Sequence, residues 1–192
     1  MLFIGDVHGE IEKYYKIIEG YNESIQVGDV GLGFAGVELD LPDGHKFIRG
    51  NHDDPDKCRS NKSYLGDWGY IEENDLFFIS GAYSIDQHLR TPGVSWWSEE
   101  ELSYQTLKQL IDIVPETKPR IIVSHDCPTH LQEQFFGFTP KTNRTGSALS
   151  CIFEKYQPSI WIFGHHHVNY STVVNGTRFI CLDSLCSMVI DV

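Results

Sequence analysis

Five short apolar runs in this chain each end at a small residue and a knot of Asp, His or Asn. No other feature constrains the fold as much. Residues 1–4 lead into Gly5-Asp6-Val7-His8-Gly9, residues 25–27 into Gly28-Asp29-Val30-Gly31, and Phe47-Ile48 comes just before Gly50-Asn51-His52-Asp53. Residues 121–123 lead into Ser124-His125-Asp126, and residues 160–163 into Gly164-His165-His166-His167. Apolar runs this short, bounded by Gly and polar residues, read as buried strands. In open α/β sheets, ligands sit in the crevice beyond the carboxyl ends of the strands. These strands would therefore bring Asp, His and Asn side chains to one edge, the donor set of a metal site.

The intervening segments fit one α/β unit. Ile11, Tyr14, Tyr15 and Ile18 have the spacing of a half-buried helix, with Gly20 as its stop. Ser98 and Glu101 read as a capping box ahead of the stripe Leu107, Leu110, Ile111 and Val114, which Pro115 would end. Leu149, Ile152, Phe153 and Tyr156 predict a further helix closed by Pro158. Hairpins are expected where residues 68–71 and 76–79 flank 72–75, and where 171–174 and 177–181 flank Asn175-Gly176, a type I′ turn signal. Such an order predicts two stacked mixed sheets with helices outside. With no internal repeat or linker, residues 1–192 read as a single domain.

Charge and cysteine usage narrow the function. No apolar stretch is long enough for a membrane span, and Met1 is expected to lead straight into a strand, which would leave no room for a signal peptide. The five cysteines form no C-x-x-C pair and are odd in number, which favours reduced thiols and a cytoplasmic location. Cys127, Cys181 and Cys186 read as small buried thiols. A formal net charge of −12 disfavours non-specific binding to duplex DNA, which relies on Lys and Arg neutralising phosphates. Divalent ions would invert the field at the site itself. A negative body with a positive pit suits a small phosphate ester.

If the strands form, Asp6, His8, Asp29, Asn51, His125, His165 and His167 converge. Asp6 and His8 are two apart, as are His165 and His167, so in extended segments each pair would point the same way. Each pair can then hold one ion or straddle two. Mixed imidazole and carboxylate ligation suits Mn, Fe, Zn, Ni or Co better than Ca or Mg. One carboxylate shared by two ions would set them ~3.5–4 Å apart, as in two-metal hydrolases.

Asp-x-His-Gly, Gly-Asp, Gly-Asn-His-Asp, a His after a strand and Gly-His-x-His stand here in the order of the calcineurin-like metallophosphoesterases. The resemblance covers positions 5 to 167. It implies an αββα sandwich and two divalent metals, with manganese the leading expectation. One would be held by Asp6, His8, Asp29 and His167, the other by Asp29, Asn51, His125 and His165, with Asp29 bridging. The resemblance also implies that a hydroxide between the ions attacks phosphorus, while His52 contacts the phosphate or protonates the departing oxygen. The protein phosphatases of this superfamily continue their second motif as Asp-Arg-Gly and their third as Asn-His-Glu. Here Val30-Gly31-Leu32-Gly33-Phe34 follows Asp29 and Asp53-Asp54 follows His52, a pattern more similar to the phosphodiesterase and nuclease branches. Asp53 and Asp54 are left as candidates to orient His52.

The expected function is a metal-dependent phosphoester hydrolase acting on phosphodiesters or small nucleotides. The alternatives are a protein phosphatase-like or general phosphomonoesterase and, from another class, a non-catalytic scaffold. Arg90 and Trp96 are the candidate substrate contacts, by charge and by stacking. Phe135, Phe136, Phe138, Lys141 and Arg144 form a second candidate wall, whose phenylalanines read better as cover for a sheet edge or a dimer contact. His166 should point away from its neighbours and reads as a packing or surface histidine. His45, His88 and His130 read as surface residues. Asp126 is either a partner that fixes a ligand imidazole or a turn or cap residue.

Overall fold

Each apolar run becomes a strand, and each strand stops where its polar cluster begins. In the computed structural model, which describes residues 1–33, 37–138 and 143–192, β1 (Leu2–Ile4), β2 (Ser24–Gln26) and β3 (His45–Phe47) are parallel. The helix α1 (Ile11–Ile18) connects the first two, burying Tyr14 and Ile18. A short helix, α2 (Pro55–Ser60), follows β3; Asp54 caps it by accepting from the Asp56 and Lys57 N–H groups, with proline at its first position.

The second sheet begins with the antiparallel pair β4 (Trp68–Ile71) and β5 (Leu76–Ile79). Then come α3 (Tyr104–Thr117), β6 (Ile121–Ser124), α4 (Thr129–Phe136), α5 (Arg144–Lys155) and β7 (Ile160–Phe163). The strands β8 (Tyr170–Val174) and β9 (Thr177–Cys181) form the expected hairpin, with Asn175 and Gly176 both at positive φ as a type I′ turn requires. The last strand, β10 (Ser187–Val189), returns to pair antiparallel with β1. The sheet orders are β10-β1-β2-β3 and β4-β5-β6-β7-β9-β8.

Three apolar clusters define the layers. Phe3, Ile25 and Val27 of the first sheet meet Phe78, Val123 and Ile162 of the second, so the sheets pack face to face. Outside the second sheet, Trp161 and Phe179 pack against Leu110, Leu149 and Phe153 of α3 and α5. Outside the first, Leu2 and Ile4 pack against Tyr14, Ile18 and Cys58 of α1 and α2. This is the αββα sandwich. Each fully buried Leu or Phe stabilises it by about 1.5–3 kcal/mol.

Local details differ from the sequence reading. The cap of α3 is Ser103, whose Oγ accepts from Thr106 N at 3.1 Å, while Glu101 accepts from Thr145 N at the start of α5. Pro115 lies inside α3 instead of ending it. It removes only one intrahelical donor, and Lys118 closes the helix through its N–H bond to Val114. His45 is buried, with Nδ1 2.8 Å from Ser24 Oγ across β2 and β3. Cys127 and Cys181 are buried as expected, whereas Cys186 is half-buried. The helices α2 and α4 and the strand β10 lack the periodicity that would reveal them.

Candidate metal centre

The loops after β1, β2, β3, β6 and β7 meet at one rim, where the two sheets face each other. Among the described residues, Asp126, Cys127 and His166 form one group of potential donors there, and two further groups share Asp29. In one, the side chains of Asp6, His8, Asp29 and His167 offer ligand atoms within 4.8 Å of one another; in the other, those of Asp29, His125 and His165 do the same. Asn51 joins the second group, its Oδ1 3.2 Å from His125 Nε2. Asp29 belongs to both. Its Oδ1 lies 3.3 Å from His125 Nε2 and accepts from His52 N at 2.7 Å.

Asp6 shows that the first group fits a cation. Its Oδ1 accepts from His165 N at 3.1 Å, but Oδ2 is buried and makes no hydrogen bond. The Nε2 atoms of His167 and His8 lie 3.0 and 3.5 Å from that oxygen, and 2.9 Å from each other. A buried carboxylate oxygen left unsatisfied is costly, and a cation held jointly with two imidazoles would satisfy it.

The backbone is bent to make this convergence. His8, Asp29, His165 and His167 all have positive φ, which non-glycine residues adopt at a cost and which clusters at functional sites. The pairs two residues apart are therefore not extended, contrary to the expectation from strand geometry. The left-handed turns send His165 to one group and His167 to the other, while His8 stays with Asp6. Two glycines make room. A Cβ on Gly50 would collide with the Asp29 carboxylate and the His125 ring, and one on Gly164 would collide with Asp6.

The electrostatics favour positive charge. Burial opposes ionisation of Asp6, yet the His167 and His8 imidazoles outweigh it and leave its pKa at about 2. Asp29 is likewise held well below the ordinary carboxylate range, with burial outweighed chiefly by His125. Burial pulls the His125 pKa down, but the Asp29 carboxylate raises it to about 10. The carboxylates thus demand a cation, and without a metal a proton on His125 meets part of that demand. Burial pushes His165 down to about 4, which keeps its ring neutral and able to coordinate.

Outer contacts fix the donors. His125 Nδ1 lies 2.9 Å from Val27 O, a partner that leaves Nε2 turned to the centre. Asn51 Nδ2 donates to Ser84 Oγ at 2.9 Å, and Ser84 Oγ donates to Glu100 Oε2 at 2.6 Å, so the Asn51 carbonyl oxygen faces the second group. Asp53 accepts from the N–H groups of Val30, Gly31, Leu32 and Gly50, tying two motif loops together. Asp126 leaves His125 alone. Its carboxylate accepts from Cys127 N, Gln132 Nε2, His166 Nε2 and Asn143 Nδ2.

Above the donors lies a cavity of about 500 Å³ whose walls include His52, Tyr83, Ile85, Arg90, Gln132 and Phe138. Neither Asp53 nor Asp54 is hydrogen-bonded to the His52 ring; both are engaged with backbone N–H groups. Arg90 takes that place, with guanidinium nitrogens 3.1 Å from His52 Nδ1 and 2.7 Å from Nε2, and its own Nε bonded to Asp86 at 2.8 Å. A neutral imidazole has one acceptor nitrogen, so only one of the two approaches is a hydrogen bond. Burial, with Arg90 in support, lowers the His52 pKa.

Of the other candidates, Arg90 lines this cavity and Trp96 lines its neighbour. Phe135 is buried and Phe136 packs beside it against the sheet, as expected of cover, whereas Phe138 is exposed on the cavity wall. Lys141 lies outside the described residues. His166 does pack, stacked on Phe136 at 4.0 Å, but it also borders the cavity. Ser84, Glu100, Gln132 and Asn143 carry no motif. Of the wall residues the sequence reading missed, Asp86 alone carries a signal, its spacing of four from Arg90.

A family model described as calcineurin-like phosphoesterase matches residues 1–169, and the chain belongs to that family. Members use divalent metals, and membership supports metal-dependent hydrolysis of phosphoesters. Among curated proteins, no sequence matches. Similar solved structures include a conserved protein of Streptococcus pneumoniae titled a predicted phosphoesterase, 16% identical, covering 95% of this chain and 72% of that one at a TM-score of 0.45. The phosphopantetheinyl hydrolase of Mycobacterium tuberculosis is 14% identical over 95% and 89% of the two chains, at 0.46. GAP50, titled the anchor in the inner membrane complex of Plasmodium, is 11% identical over 95% and 71%, at 0.48.

Proposed function

We propose that this protein is a dinuclear metal-dependent phosphodiesterase acting on small nucleotide-like esters. One ion would be held by Asp6, His8, Asp29 and His167, and the second by Asp29, Asn51, His125 and His165. The observation that carries the reading is the pair of donor groups sharing Asp29, with Asp6 Oδ2 buried and unsatisfied. Bound there, two divalent ions, manganese foremost, would supply Lewis acidity to an attacking water and to the phosphoryl oxygens.

The chain's own groups complete the chemistry. Asp6 and Asp29, both ionised across the neutral range, would hold the cations, which would supply Lewis acidity to the reacting oxygens. Arg90, anchored by Asp86, offers its fork to a non-bridging phosphate oxygen. His52, beside Arg90 in the same cavity, protonates or stabilises the leaving oxygen. Among the described lining residues Arg90 is the one Arg or Lys, which suits a diester monoanion better than a monoester dianion. The free thiols and the lack of any described helix able to cross a membrane are compatible with work in the cytoplasm.

The test compares bis-(p-nitrophenyl) phosphate with p-nitrophenyl phosphate, using manganese-loaded and chelator-treated protein. The diester should have the higher kcat/KM, and activity should vanish with the metal and return with it. Protein that binds two ions per chain yet turns over neither ester would refute the catalytic reading. A preference for the monoester would refute the choice of substrate class.

A further inference from the structure

Beside the catalytic cavity lies a second and larger one, of about 640 Å³, between α3, α5 and the segment that follows β5. Tyr83 and Asn143 line both, so the two cavities share a wall. Its floor is apolar, built from Leu107, Ile111 and Ala148. Trp96, Tyr83 and Tyr104 contribute aromatic rings to the lining, and Gln87, Lys108 and Glu101 contribute polar groups. Tyr104 is 76% exposed, and the Arg144 guanidinium lies over its ring at 5.4 Å. An apolar floor with aromatic rings and a few polar groups is the usual composition of a site for a planar organic ligand. Aromatic faces accept any base, because every base has a π-face.

Neither the metal chemistry nor Arg90 needs this space. A phosphodiester held at the metals carries two organic groups, and the catalytic cavity alone does not explain what receives the one that stays on phosphorus. We propose that the second cavity is a specificity pocket for a planar aromatic group, a nucleobase in the first instance, attached to the phosphoryl group that the metals hold. This rests on the phosphodiesterase reading above and adds what selects the substrate.

The experiment uses two diesters with the same leaving group: the p-nitrophenyl esters of thymidine and adenosine 5′-monophosphates against methyl p-nitrophenyl phosphate, with the manganese-loaded protein. Stacking predicts a kcat/KM advantage of at least about tenfold for a nucleoside ester, carried mainly by KM. In Ser147→Trp, which puts a large ring into the cavity from the surface of α5, that advantage should shrink to less than about threefold. A second readout needs no turnover. Cys151 lines the same cavity and is exposed, so its alkylation by a maleimide should slow when thymidine or adenosine 5′-monophosphate is bound. If the methyl ester is turned over as well as the nucleoside esters and neither nucleotide protects Cys151, the pocket assignment is wrong. If no ester is turned over but a nucleotide protects Cys151, the pocket stands and the catalytic reading fails instead.

Discussion

At the floor of the catalytic cavity, Asp6, Asp29, Asn51 and His125 are 2% exposed or less. On the wall above, Ile85 and Phe138 are 60% and 54% exposed, and in the connection that carries Ile85 and Arg90, Leu89 and Val94 are 78% and 62% exposed. The floor is made of strand ends braced across the two sheets, as in the contact of His125 Nδ1 with Val27 O and the bond from His165 N to Asp6. Much of the wall is a long connection after β5 and the segment around α4. Rigid elements hold donors to a tolerance that metal ligation demands, whereas connecting segments tolerate change and carry selectivity. On the proposed reading, chemistry is fixed at the floor and the choice of substrate is left to the wall.

Substitutions can break that contrast. The largest effect is expected at Asp29, which serves both donor groups: Asp29→Asn should reduce bound metal below two per chain, by elemental analysis. Turnover should fall well beyond the ~10–100-fold typical of changes to outer contacts. Retention of two ions would refute the bridging role. His52→Ala should keep both ions and lose about 10²–10⁴-fold in kcat; unchanged turnover would remove His52 from the mechanism.

Asp126→Asn probes stability at the junction of floor and wall. Despite burial, contacts led by His166 hold the Asp126 pKa well below its ordinary value. A carboxylate with a depressed folded pKa stabilises above its unfolded pKa of about 3.9 and loses that contribution as pH falls through the folded value. The variant should lose about 2–3 kcal/mol near pH 7 in urea unfolding, and the gap from wild type should narrow in acid. A gap independent of pH would mean that the charge is not what stabilises.

Ser84→Ala sharpens the contrast, since it frees the Asn51 amide without touching a donor. Metal affinity should fall about 10–100-fold at the second site alone, by competition with a chelating dye. Equal weakening at both sites would count against the Asn51–Ser84–Glu100 chain. The smallest effect belongs to the rim: Leu89→Ser should change stability by less than about 0.5 kcal/mol, and a larger loss would mean that the rim is built like the floor.

Much of the floor was legible because its signals are local. A strand ending in Gly and a ligand residue can be read from a few positions, and the order of five such endings matched one family. His165 and His167 show the limit. Their spacing of two says nothing about a left-handed turn, and the turns divide them between the two donor groups. Asp126 stands next to a ligand, yet its partners are Gln132, His166 and Asn143. The sequence suggested Asp53 or Asp54 for orienting His52, but those carboxylates are engaged by backbone N–H groups and Arg90 holds the ring.

Amino-acid order alone pointed to the expected donor set, the strands that carry it, the layered architecture and the family, because each rests on side-chain chemistry, periodicity within short windows or the order of local motifs. Only the folded chain decided which backbone turns divide the imidazoles, which groups brace Asn51 and His52, and that a second cavity adjoins the first. Those outcomes depend on pairs such as Asn51 with Ser84 and His52 with Arg90. Such pairs are far apart along the chain, and only the packing of sheets, helices and loops sets the distance between them.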